Sequence, residues 1–157
     1  MFNIGDKVFY PMHGAGVIQT IEMKEIQGHT KEYCVISIPI TQLNIMLPRA
    51  NLAKVGIRAV VDLQTARGIV ENFHHEQPKG DLPWKERYKQ NMELLKSGEM
   101  QNSAQVVQEL LYRQREKPLN STEKQLLSDA HKALISEISI IEDITEEQAD
   151  DLLKVAQ

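Results

Sequence analysis

Apolar and polar positions along this 157-residue chain keep two different rhythms, and the change falls near residue 60. Before it, apolar runs are short, rich in β-branched residues and separated by turn formers. Residues 7–10, 17–24, 31–39 and 42–47 read as strands, and a short fifth is expected at 51–55. Gly14-Ala15-Gly16 opens the second run and Gln27-Gly28-His29 marks a turn. Val17, Ile18, Ile21, Val35, Ile36 and Ile38 are the residue types that pack well on a pleated surface. Four or five short strands in about 55 residues predict a small, curved sheet or barrel of the SH3/Tudor type. Such a sheet buries little apolar area alone and gains from a neighbouring helix.

Beyond residue 60 the period becomes helical. Leu63, Ala66, Ile69, Val70 and Phe73 predict a helix over 63–73. A polar Pro/Gly-bearing stretch at 74–80 follows as a loop or linker. Asp81 is placed to cap a helix with Pro83 in its first turn, and Trp84, Tyr88, Met92 and Leu95 form its stripe until Ser97-Gly98. A third helix is expected over 103–115, ended by Lys117-Pro118. Asn120 with Glu123 signals the cap of a fourth, striped by Leu127, Ala130, Leu134, Ile138 and Ile141. Thr145 with Gln148 opens a fifth over 146–156. The fold class is therefore α+β, a small β-barrel followed by a compact helical bundle.

Composition sharpens this outline. The 18 Lys+Arg against 22 Asp+Glu give a net charge of −4, which argues against a wholly basic nucleic-acid coat but leaves room for a local patch. Residues 79–117 hold 8 basic and 6 acidic side chains, whereas 118–157 hold 3 and 9. The single Cys34 excludes an intramolecular disulfide and reads as a core residue. No apolar run reaches the roughly 18 residues of a membrane span. The N-terminus lacks the basic and apolar regions of a signal peptide. A reduced, cytoplasmic protein is expected.

Trp84-Lys85-Glu86-Arg87-Tyr88-Lys89 is the sharpest local feature. Spacing places Trp84 on the Tyr88/Leu95 stripe, where it would be core. The functional alternative is a nucleic-acid contact. There Lys85, Arg87 and Lys89 would neutralise phosphates while the ring presses on a base step. Lys124 stands one turn into the fourth helix, where a cation opposes the helix dipole but suits a phosphate. Residues 40–47 are apolar and uncharged. As an edge strand they would invite pairing with another protein, and as an inner strand they would only pack. His13-Gly14-Ala15-Gly16 lacks the third glycine of a phosphate loop and runs into strand-like Val17-Ile18, so it reads as a turn or bulge. His74-His75-Glu76 resembles a metal cluster, but adjacent histidines point apart and no third ligand stands at usable spacing. The acidic run at 142–151 reads as a solvated surface. No nucleophile elbow, Cys/His pair or catalytic carboxylate pair is found, so neither an enzyme nor a cofactor is expected.

Several motifs together resemble the CarD/CdnL family of bacterial transcription regulators. They are Ile4-Gly5-Asp6-Lys7-Val8-Phe9-Tyr10-Pro11-Met12-His13-Gly14, Lys31-Glu32-Tyr33, Leu47-Pro48-Arg49-Ala50-Asn51 and Val55-Gly56-Ile57-Arg58. In the second half they are Trp84-Lys85-Glu86-Arg87-Tyr88-Lys89-Gln90-Asn91, Ser97-Gly98, Val106-Val107 with Leu110, and Glu123-Lys124. The resemblance runs through the whole chain in order. Transcription-repair coupling factors share only the first module.

The resemblance implies a Tudor-like domain over 1–58 that binds the β subunit of bacterial RNA polymerase by strand addition. Asn44, Ile45, Met46 and Leu47 would form that strand, with Lys24 also at the contact. It implies a helical domain over 59–157 that contacts promoter DNA at the upstream edge of the −10 region. There Trp84 would wedge into the minor groove, and Arg87, Lys89 and Lys124 match basic DNA-contacting positions. Met46 and Lys24 stand where relatives carry arginine, and lysine keeps the charge without the planar fork. The function so implied is stabilisation of the open promoter complex. A polymerase-binding module without DNA contact would equally suit the acidic charge, and an enzyme using His74, His75 and Glu76 is the remaining alternative.

Overall fold

The computed structural model describes residues 1–75 and 82–154. Within them the chain forms five strands and then five helices, the α+β class expected. The strands are β1 (Lys7–Tyr10), β2 (Gly14–Ile26), β3 (His29–Ile38), β4 (Leu43–Pro48) and β5 (Arg58–Ala59). They make one antiparallel sheet in the order β4-β3-β2-β1-β5, so β4 and β5 are its edges. A register shift between Ile18 and Thr20 inserts one extra residue in β2. That bulge lets Ile18 and Ile21 face the same side, opposite Ile36 and Cys34. Val8, Ile18, Cys34, Ile36, Ile38, Leu52 and Ile57 fill the sheet's core. Burial pushes the Cys34 thiol up, so it packs as a neutral small side chain.

The fifth strand is not at 51–55. There only Leu52 is buried, and the chain turns with the amide of Val55 on the Asn51 carbonyl and that of Ile57 on the Leu52 carbonyl. Gly56, at φ +88, reverses the chain and sends Arg58–Ala59 back alongside β1. A lone apolar anchor between exposed neighbours plugs the sheet without lengthening it.

The helices are α1 (Leu63–His75), α2 (Trp84–Lys96), α3 (Met100–Glu116), α4 (Ser121–Glu142) and α5 (Glu146–Leu153). Asp62 caps α1, its carboxylate accepting from the Thr65 amide at 2.7 Å, and that bond holds its pKa below the usual carboxylate range. Pro83 is the N-cap of α2 rather than part of its first turn, and Asp81 lies outside the described residues. The Asn120 side chain accepts from the Glu123 amide, and Thr145 with Gln148 closes a full capping box. α4 is the central helix, burying Leu126, Ala130, Ala133, Leu134, Ile135 and Ile138.

Sheet and helices share one interior. Phe9 of β1 and Ala15 of β2 belong to the same buried cluster as the helical core. The Ala15 amide donates to Ser136 Oγ of α4 at 2.7 Å. Arg58 of β5 makes a forked pair with Glu137 of α4, both bonds at 2.7 Å, and also donates to the Gly98 carbonyl between α2 and α3. Its guanidinium lies 4.8 Å from the centre of the Phe9 ring. Gly98, at φ +73, faces Pro11, whose Cγ would stand 2.6 Å from any added Cβ. Three of the motifs that carried the resemblance therefore meet here, through Phe9 and Pro11, Arg58, and Gly98.

Candidate functional site

Two exposed surfaces collect the residues singled out from the sequence. The first is β4. It pairs with β3 on one side only, so its outward amides and carbonyls are left without a strand neighbour. Alternation turns Ile45 toward the sheet core, with Leu47, opposite Ile36 and Cys34. Asn44 and Met46 face the other way, and Met46 is 42% exposed. Arg49, just beyond β4, braces the N-terminal segment. It donates to the Phe2 carbonyl and Asn3 Oδ1 and pairs with Glu32 at 2.9 Å. Lys24 is not beside Met46. Thr20 stands across β3 from Met46, and Lys24 lies four residues further along β2, opposite Lys31 and 3.9 Å from Glu22. That is about 13 Å along the strand.

The second surface is the start of α2 against the start of α4. Trp84 is not a core residue: it is 42% exposed, while Leu95 three turns on is buried and Tyr88 and Met92 are half-buried. The apolar stripe is real, but its first member runs off the end of the bundle. A cleft of about 320 Å³ adjoins Trp84, lined also by Arg87, Arg113, Lys117, Asn120 and Glu123. Lys85, Lys89 and Lys124 are exposed. Lys85 and Lys89 share one side of α2, one turn apart.

Arg87 sits differently from the lysines. Its Nε and Nη2 donate to the two carboxylate oxygens of Glu123 at 2.8 and 2.7 Å, and its Nη1 donates to the Leu82 carbonyl at 3.2 Å. Glu123 is buried, so sequence reasoning that gave it only a capping role missed this pair. Its spacing from Asn120 suggested that the side chain would reach back to the cap. Instead it reaches across to α2. Glu109 of α3 lies near the same charges. Burial raises its pKa, and Arg113 and Arg87 partly offset that rise.

The remaining candidates separate. His74 Nε2 meets the Leu152 carbonyl at 2.7 Å, and Glu76 lies outside the described residues. His13-Gly14-Ala15-Gly16 turns from β1 into β2, where an added Cβ at Gly16 would collide with the Ser37 carbonyl. The acidic run is partly paired: Glu142 with Arg67, Asp150 with His131 and Asp151 with Lys154. Among the described residues no helix is long and apolar enough to cross a membrane.

Fold and surfaces together define the class: an α+β protein with a bare strand edge on its sheet and an aromatic–basic helix start on its bundle. Residues 2–61 match the CarD-like/TRCF RID domain, and residues 68–154 match the CarD C-terminal domain. The chain belongs to the CarD-like family and is a transcription regulator. It is 43% identical over 148 residues to YdeB of Bacillus subtilis (strain 168), a protein named provisionally as a transcription factor, covering 94% of this chain and 97% of that one. The solution NMR structure of the 72-residue N-terminal domain of Myxococcus xanthus CarD is similar over 38% of this chain and 79% of that one, at 24% identity and a TM-score of 0.33.

Proposed function

We propose that this regulator holds RNA polymerase with its sheet and promoter DNA with its bundle, and so stabilises the open promoter complex without chemistry or a cofactor of its own. Polymerase is met through its β subunit, which adds a strand to β4. Main-chain bonds give the affinity and the outward Asn44 and Met46 side chains give the fit. Lys24 adds charge further along the same face. DNA is met at the upstream edge of the −10 region. Trp84 enters the minor groove there, and Lys85, Lys89 and Lys124 neutralise phosphates. The protein works in the cytoplasm, on the nucleoid, carried there by polymerase.

The tether explains how a chain of net charge −4 uses a small basic patch. Once the sheet is docked, the bundle's contact is intramolecular and need not be strong alone. Preference for separated over paired strands then shifts the closed–open equilibrium. One wedge and a few phosphate contacts supply about 1–3 kcal/mol, roughly five- to a hundredfold. The observation that carries the reading is the exposure of Trp84, the chain's single tryptophan, at a helix start among lysines.

The test is the lifetime of open complexes formed by purified polymerase. The native chain should lengthen it about fivefold or more. Trp84→Ala should fold normally, its free energy of unfolding within about 1 kcal/mol of the native value, and should return the lifetime to baseline. An unchanged lifetime with the native chain sinks the reading. A bundle that unfolds on Trp84→Ala makes the ring a packing residue.

A further inference from the structure

Arg87 counted from sequence among the phosphate-neutralising cations, yet its geometry is that of a different role. We propose that Arg87 and Glu123 are positioning residues that aim Trp84 at its target, an inference that rests on the DNA-contact reading above. The guanidinium lies between two flanks of the tryptophan. Leu82, whose carbonyl it holds at 3.2 Å, is two residues before Trp84, and Arg87 itself is three residues after it. Both Glu123 oxygens close on the same guanidinium at 2.7 and 2.8 Å. The first turn of α2 is thereby clamped to the first turn of α4.

The clamp's other half is fixed as well. The Glu123 amide donates to Asn120 Oδ1 at 2.9 Å, so the carboxylate projects from a capped helix end. Only 1% of Glu123 is exposed. A carboxylate buried so deeply is tolerated because a planar fork satisfies both its oxygens. Turning that fork toward a phosphate would strand the Glu123 charge. The work therefore divides. The exposed Lys85, Lys89 and Lys124 supply positive field, and Arg87 supplies orientation. Lysine at position 87 would keep the charge and lose the fork.

Two roles for Arg87 predict opposite signs. If it contacts phosphate, Glu123→Gln releases it, and DNA engagement tightens with a steeper salt dependence. If it positions Trp84, Glu123→Gln and Arg87→Lys both loosen the tryptophan and shorten the open-complex lifetime. The experiment uses the full chain with polymerase and promoter DNA across a salt series. Trp84→Ala and Lys89→Ala run alongside, and the fluorescence anisotropy of the single tryptophan is read on each free variant that retains it.

The expected result is a lifetime shortened about fivefold or more by both Glu123→Gln and Arg87→Lys. The salt slope should stay at the native value and the anisotropy of Trp84 should fall. Lys89→Ala should instead reduce the slope by about 0.9 with anisotropy unchanged. A longer lifetime in Glu123→Gln overturns the proposal, as does a native lifetime in both variants while Trp84→Ala abolishes the effect. Should Trp84→Ala itself do nothing, the DNA-contact reading fails and this inference fails with it. If Glu123→Gln unfolds the bundle, Arg87→Lys alone decides by the same criteria.

Discussion

Glu109 shows how a single side chain records the cost of a charged interior. Burial holds its pKa above the usual carboxylate range even with Arg113 and Arg87 nearby. The folded-state value exceeds the unfolded one, so Glu109 imposes nothing on stability in acid. Its penalty sets in above the unfolded pKa and is complete once pH passes the folded one. Glu109→Gln should match the native protein in acid and exceed it in stability at neutral pH. Urea unfolding at several pH values reads the difference, and equal stability throughout would contradict it. At this scale the sequence told residue type but not commitment. Trp84 was legible as either core or contact, because a helical period cannot say where a bundle ends. Arg87 and Glu123 were both visible, yet their 36-residue separation hid the pair. Only packing brings α2 and α4 together.

Individual elements were mostly readable from period and caps. Strands β1 to β4, the cap of α4 and the capping box of α5 all follow from local signals whose physics acts within a few residues. The misread fifth strand is the instructive exception. β5 is two residues long and owes its place to pairing with Val8 and Phe9, fifty residues earlier, so no local pattern marks it. Equally, the apolar run at 40–47 could not declare itself edge or interior until β3 was seen on one side only. The edge can be tested by proline. Of any two adjacent strand residues, one turns its amide toward β3 and the other outward. Of Ile45→Pro and Met46→Pro, one should therefore break the ladder and lower stability, and the other should fold well yet lose polymerase binding. Full binding by a well-folded variant of that pair, in a pull-down with intact polymerase, excludes strand addition at β4.

At the scale of the molecule, the Arg58–Glu137 ion pair joins sheet to bundle. Glu137 is 1% exposed and meets Arg58 through both oxygens, while its Oε2 also accepts from the Val61 amide at 3.2 Å. Removing the arginine leaves that carboxylate stranded. Arg58→Ala should lower the free energy of unfolding by about 3–5 kcal/mol. Denaturant titration checks this, and a loss under about 1 kcal/mol would mean the pair is dispensable. None of this junction was legible beforehand. Arg58 appeared only as the end of a motif, and Glu137 was not singled out.

α4 carries both anchors on one continuous helix. Glu123 governs the end that bears the tryptophan, and Glu137 takes hold of the sheet. At 1.5 Å per residue they are roughly 21 Å apart along the axis. A helix is stiff over such a distance, so the protein behaves as a gauge block. Under the proposed function, such a block serves only those assemblies in which the polymerase surface and the parting duplex stand one fixed stride apart. Partner choice is thus written partly in a length, which no inventory of touching side chains would reveal.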